Sequence, residues 1–266
     1  MTDILNVEIF SSVKSVEGWF TRANRNQFNP NGEIPGLNCG LNTTASNRET
    51  ERNRKKCFSM IGLDFNQVAL AHQVHGNQVK IVNRGGIYPA TDAFVTDQPG
   101  LALTIQVADC AALLIADPGS EVVAAVHAGW RGAMNGIVER TVQTMERQGA
   151  SVDQMLAWIS PCISQRYFEV GEEVAEQFPP KFVSRDFGPK PHVDLRGAVR
   201  HELMGCGVTA SRIQTDNGCT FQEEKLYYSW RRDRDTAGRM LALVRIQAED
   251  KSDGNGNQYG KSERIN

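Results

Sequence analysis

Two imidazoles and one thiol, drawn from three separate stretches, are the side chains of this sequence best suited to chemistry. They are His75 in Gln73-Val74-His75-Gly76, Cys110 in Ala108-Asp109-Cys110, and His127 in His127-Ala128-Gly129-Trp130-Arg131-Gly132. Two histidines and a thiolate make a sound inner shell for zinc, and three protein ligands leave a fourth tetrahedral position for water or substrate. Cys110 gains most from a metal. About 3% of an ordinary thiol is ionised at neutral pH, whereas a coordinating thiol is deprotonated outright. The plainer alternative for Cys110 is a buried thiol leading into Ala111-Ala112-Leu113-Leu114-Ile115. His72 stands three residues before His75, and on a strand that offset puts two side chains on opposite faces. His75 alone is therefore expected to ligate.

Groups that could handle an anion or a proton lie nearby in sequence. Gly129 and Gly132 permit a tight turn into a helix, whose first amides lack intrahelical partners. Together with Arg131 those donors suit phosphate or carboxylate. Arg231 and Arg232 in Tyr228-Ser229-Trp230-Arg231-Arg232-Asp233, and Arg239 in Gly238-Arg239-Met240, add guanidinium forks. Surface pairing of Arg231 with Asp235, or of Arg232 with Asp233, is the duller alternative. Asp109 is the nearest acidic proton carrier, but it qualifies only if the backbone bends at Cys110, because adjacent strand residues face opposite ways. Cys162 has no base near it in sequence, so a nucleophilic role has no support.

These residues must be positioned by a sheet system. Strand-like runs are Val7–Phe10, Gly18–Thr21, Val68–His72, Val79–Val82, Ala93–Thr96, Leu101–Val107, Ala112–Ala116, Val122–His127, Leu156–Ile159 and Met240–Ile246, separated by Asn, Asp, Gly and Pro clusters. Ser46 and Glu49 read as a capping box opening a helix that Gly62 closes. Further helices are expected from about Gly132 to Gln148, over Gly171–Phe178, and from an Asp194 cap to Cys206. No repeat or linker divides the chain, so residues 1–248 are expected to form one catalytic domain. The polar stretch 249–266 is expected to be a disordered tail.

Bulk properties narrow the partners. At 266 residues with a formal charge of -2, the chain has no general electrostatic reason to bind nucleic acid or an anionic membrane. No apolar run approaches the ~20 residues that span a bilayer, and the N-terminus does not read as a secretory signal. A reducing cytoplasmic setting is expected, with the six cysteines free rather than paired.

Taken in order, these blocks resemble the YfiH-type family, variously labelled purine nucleoside phosphorylase or polyphenol oxidase (laccase) domain proteins. The resemblance runs from roughly Gly36 to Val244. It rests on Gln73–Gly76, Ala108–Cys110, His127–Gly132, Phe168–Gly171, Cys219-Thr220, Ser229–Asp233 and Thr236–Met240. It implies an α+β fold, α/β layered, with β-layers flanked by helices, and a zinc triad on His75, Cys110 and His127. It further implies phosphorolysis of adenosine, inosine and methylthioadenosine, and deamination of adenosine to inosine. The substrates would be purine nucleosides and phosphate. Zinc would acidify water for attack on purine C6, although the usual zinc-deaminase signature is absent. The chain departs from the family pattern at Thr44-Ala45, at Ala112 (commonly Pro), at Ser160 (commonly Gly), and by one extra residue in Thr236-Ala237-Gly238. Three rivals are a copper polyphenol oxidase, a hydrolase editing peptidoglycan precursors, and a non-catalytic zinc-binding module. Multicopper centres need more histidines than the five present.

Overall fold

Runs that are apolar at nearly every position need cover on both sides, because successive strand residues face opposite ways. The computed structural model, which describes residues 4–248, supplies that cover with two stacked sheets and outer helices. Its strands, in chain order, are β1 (Ile4–Asn6), β2 (Val16–Thr21), β3 (Val68–Ala71), β4 (Val79–Ile81), β5 (Gly86–Tyr88), β6 (Ala93–Thr96) and β7 (Ala102–Val107). They continue as β8 (Ala111–Asp117), β9 (Val122–Ala128), β10 (Leu156–Ile159), β11 (Val183–Ser184), β12 (His192–Val193), β13 (Ile213–Thr215) and β14 (Met240–Ile246). The helices are α1 (Glu8–Ser11), α2 (Asn47–Met60), α3 (Trp130–Met134), α4 (Ile137–Arg147), α5 (Glu172–Ala175), α6 (Leu195–Gly205) and α7 (Trp230–Asp233).

One six-stranded sheet has the order β1-β2-β14-β7-β3-β5, and the second has β13-β10-β8-β9-β6-β4. Both are mixed: β3 pairs parallel with β5 and β7, and β4 with β6, while most other neighbours are antiparallel. Alternation along β8 shows how the layers stack. Ala112, Leu114 and Ala116 enter the core between the sheets with Leu103, Ile105, Ala242 and Val244. Leu113 and Ile115 face outward onto Ile137, Val138 and Met145 of α4 and Leu195 and Val199 of α6. The opposite outer face carries Val68, Leu70, Leu241 and Leu243 against Cys57 and Phe58 of α2. The result is a mixed α+β domain with helices outside two β-layers, as the resemblance implied.

Several expected elements differ in detail. Val7–Phe10 is not a strand: the chain turns into α1, and the buried Phe10 ring packs on Gly18, where a Cβ would lie only 2.6 Å from it. The helix expected from Gly132 to Gln148 is two, α3 and α4, because Gly136 takes φ +75° between them. At α2 the capping box is half formed. Ser46 accepts the Glu49 N–H at 3.3 Å, but the Glu49 carboxylate turns instead to the amides of Glu33 and Ile34. Residues 249–266, expected to be a disordered tail, lie outside the described residues.

Candidate metal centre and its cavity

The β8–β9 hairpin brings the first two ligands together. Ala112 lies opposite His127 in the antiparallel register. Val123 and Ala125 enter the inter-sheet core, so His127, two residues further on, points the same way. Cys110 is in step with Ala112 and Leu114 and packs at the edge of that core. His75 arrives by another route. Parallel β3 and β7, with Leu70 opposite Thr104, deliver the residues that follow them to the same end of the sheet. There Gln73 Nε2 donates to the Gln106 carbonyl and its Oε1 accepts the Gln106 N–H, each at 2.8 Å. His75 follows in a turn at φ +58°.

The ligand atoms of His75, Cys110 and His127 all lie within 4.8 Å of one another. The two imidazoles meet edge to face with centroids 4.7 Å apart. Among the described residues this is the one group of three or more such side chains gathered closely enough to hold a metal ion. The donor set, two nitrogens and one sulfur, fits a tetrahedral N/S site with a position left open. His72 lies outside the group.

Asp92, which no spacing in the sequence flagged, organises the group. It is fully buried, and its Oδ1 lies 2.8 Å from His127 Nδ1. That contact leaves Nε2 of His127 for a metal, the arrangement by which an outer carboxylate orients a histidine ligand. The same carboxylate accepts the N–H groups of Val74 at 3.2 Å, His75 at 3.0 Å and Gly76 at 2.9 Å. Burial works against its charge, but His127 and the amides outweigh burial and hold its pKa below the usual value. Asp92 reaches His127 because β6 pairs with β9, placing Ala93 opposite Val126.

Burial also opposes the Cys110 thiolate, yet the charge and hydrogen bonds of His127 and His75 bring the thiol down to about 6. His127 responds in the opposite sense. Burial disfavours its charge, but the Cys110 thiolate and Asp92 raise it to about 9. Without metal, the site therefore favours a thiolate–imidazolium pair at neutral pH. Gly129 sits directly against this cluster: a Cβ there would lie 3.1 Å from Cys110 Sγ and 3.2 Å from His75 Cδ2.

The cluster forms part of the wall of a cavity of about 520 Å³. Asp109 lines it at φ +86°, so the chain does bend beside Cys110 and both residues face one space. Asp109 Oδ1 accepts from the Thr220 hydroxyl at 2.7 Å and Oδ2 from the Arg231 N–H at 2.6 Å. Trp130, Phe168 and Trp230 supply aromatic surface. Arg131 lines the cavity with its guanidinium over the Trp130 ring. Arg231 also lines it, anchored on the carbonyls of Tyr167 and Glu169. Arg239 does so too, anchored on those of Ala237 and Gly238.

Two expected substrate contacts sit differently. The Arg232 guanidinium donates to the carbonyls of Thr220, Phe221 and Tyr227 and pairs with Asp233, and it is not part of the cavity wall. Its donors are committed to holding backbone. Gly132 is buried and lets α3 approach the His75 turn, since a Cβ there would lie 2.8 Å from the Gly76 carbonyl oxygen. Cys162 is buried away from the cavity, and burial pushes its thiol up to about 11, so it stays protonated at neutral pH.

Residues 20–247 match the family model described as multi-copper polyphenol oxidoreductase laccase. The chain belongs to this family. The crystal structure of Bacillus licheniformis hypothetical protein YfiH superposes with a TM-score of 0.85 at 26% identity, covering 93% of this chain and 97% of that one. A purine nucleoside phosphorylase of Deinococcus radiodurans is 36% identical over 217 residues, 80% of this chain and 83% of that protein. An adenosine deaminase, RL5, from an unknown prokaryotic organism is 30% identical over 262 residues, 92% of this chain and 99% of that protein. Membership spans nearly all of the described residues. Among them, no helix is long and apolar enough to cross a membrane.

Proposed function

We propose that this protein is a zinc-dependent purine nucleoside enzyme. It would cleave adenosine, inosine and methylthioadenosine with phosphate, and deaminate adenosine to inosine. The observation that carries this reading is the convergence of His75, Cys110 and His127 on the wall of a cavity that also presents aromatic faces and arginines. The names borne by the Deinococcus and RL5 relatives support it.

The N₂S donor set suits zinc. It suits a multicopper centre poorly, because the remaining three of five histidines lie outside the group. Zinc held there would supply a Lewis acid that acidifies water. Trp130, Phe168 and Trp230 would stack against the purine, whose flat face pairs well with aromatic rings. Arg131, Arg231 and Arg239 would orient the phosphate. Asp109, held by Thr220 and the Arg231 amide, would carry the proton to or from the base. Its two bonds leave one lone-pair direction on each oxygen.

The test is to incubate purified protein with adenosine, with and without phosphate, and identify adenine, ribose 1-phosphate and inosine by mass. Folded His75→Ala, Cys110→Ala and His127→Ala variants are expected to lose turnover by a hundredfold or more, on the scale of about 3 kcal/mol of transition-state stabilisation. Unchanged turnover in all three would remove the metal group from the chemistry.

A further inference from the structure

The run Arg231-Arg232-Asp233-Arg234 places three arginines on one turn, and two of their heads are already anchored on backbone carbonyls. Arg234 is not. It lines the cavity, is exposed, and its guanidinium makes no hydrogen bond or ion pair with any described residue. Its backbone is strained as well, with φ +49° and ψ -129°. A non-glycine residue held in such a region is strained, and strain of this kind gathers at ligand sites.

The surrounding contacts hold that conformation in place. The Asp233 carboxylate is gripped by Arg25 and Arg232. Thr236 Oγ1 donates to the Asp233 carbonyl at 2.7 Å, and the Ala237 N–H donates to the Arg234 carbonyl at 2.9 Å. From outside the turn, Thr44 Oγ1 donates to the Asp235 carbonyl at 3.1 Å. A strained, well-braced turn thus presents one uncommitted guanidinium to the cavity.

The charge balance says what it would meet. Four arginines (Arg131, Arg231, Arg234 and Arg239) line the cavity, with Asp109 the single carboxylate among the described lining residues. Both Asp109 oxygens already accept hydrogen bonds. Arg231 and Arg239 contribute charge from fixed positions, whereas Arg131 and Arg234 keep all their forked donors free for a ligand. Forked donors match phosphate oxygens in pairs.

We infer that Arg234, with Arg131, forms the site that grips a phosphate group at this cavity, a role the anchored Arg232 does not fill. This rests on the reading that the cavity takes nucleoside and phosphate. The phosphate group could be the free inorganic ion or the 5′-phosphate of a nucleotide, and the experiment separates these sources.

Binding of inorganic phosphate, followed by phosphorus NMR, and of adenosine 5′-monophosphate against adenosine, followed by calorimetry, is measured on the zinc-loaded full chain. Wild type is compared with Arg234→Gln, Arg234→Gly and the charge-matched control Arg48→Gln, an exposed residue of α2. Both Arg234 variants are expected to weaken one of the two phosphate-bearing probes by about tenfold or more, the loss of a charged hydrogen-bonded contact. Arg48→Gln is expected to leave both unchanged. Loss confined to the inorganic ion assigns the co-substrate, and loss confined to the nucleotide, with adenosine binding intact, assigns a 5′-phosphate. Arg234→Gly relieves the positive φ, so its Tm is expected not to fall while phosphate binding does. Undiminished binding of both probes in the Arg234 variants, or an equal loss in Arg48→Gln, overturns the inference. Because binding needs no turnover, an inert protein with Arg234-dependent phosphate binding would sink the functional reading alone. Active enzyme with Arg234-independent binding would sink this inference alone.

Discussion

At Asp92 a single carboxylate serves both candidate ligand histidines, holding the ring of His127 and three amides of the turn that carries His75. Asp92→Asn keeps the shape but replaces one acceptor oxygen with a donor that meets an amide N–H. Zinc affinity is expected to drop about 10–100-fold, read by competition with a chelator. Affinity within twofold of wild type would assign Asp92 a packing role only. The pH behaviour of the metal-free site follows from the opposed shifts of its two partners. Cys110 is lowered to about 6, so the stability it contributes is present above its unfolded pKa and is lost as pH falls through about 6. His127 is raised to about 9, so its contribution is present below its unfolded pKa and is lost as pH rises through about 9. Alkylation of Cys110 in metal-free protein, quantified by peptide mass spectrometry, is therefore expected to inflect near pH 6. An inflection near the ordinary thiol value of about 8.5 would contradict the pairing.

Between elements, Ala112 and Ser160, two of the departures that the resemblance implied, are partners. The Ala112 N–H on β8 donates to Ser160 Oγ at 2.9 Å, and the Ser160 N–H returns a bond to the Ala112 carbonyl at 2.9 Å. Proline at the first position would remove the donor, and glycine at the second would remove the acceptor. Ser160→Gly alone is expected to cost about 1–3 kcal/mol by leaving a buried N–H unpaired. Adding Ala112→Pro is expected to recover much of that loss, and a double-mutant cycle on denaturant unfolding measures the coupling. Additive effects would show the two sites to be independent. Thr44, another departure, likewise reaches the turn that carries the extra residue, through the Asp235 carbonyl.

Across the whole molecule, the candidate ligands bridge the two β-layers. His75 follows β3 of one sheet, His127 ends β9 of the other, and Cys110 lies where the chain passes from β7 to β8. A metal held by all three would bind the folded state far better than the unfolded one. Zinc at 1,000 times its Kd is expected to add about 4.1 kcal/mol of stability, seen as a Tm that rises with zinc in wild type. The rise is expected to vanish in Cys110→Ala. A Tm indifferent to zinc in both proteins would show that the cluster does not bind it.

How far the sequence alone reached can be judged at the same residues. Its apolar runs identified β6, β10 and β14 to the residue, because strands covered on both faces are apolar at nearly every position and stand out from the polar turns beside them. Residue chemistry and the turn glycines pointed to His75, Cys110 and His127, the last two joined by a local hairpin. Asp92 stayed invisible, since its role depends on β6 lying beside β9, a pairing of segments whose contact nothing local dictates. Arg231 and Arg232 looked equivalent as letters. Only the packed structure separates them, because the direction of a side chain depends on where distant carbonyls lie. Composition and periodicity set which residues could act and which runs had to be buried. Tertiary contact, through non-local strand pairing and the demand that buried polar groups find partners, decided which of those residues share one cavity.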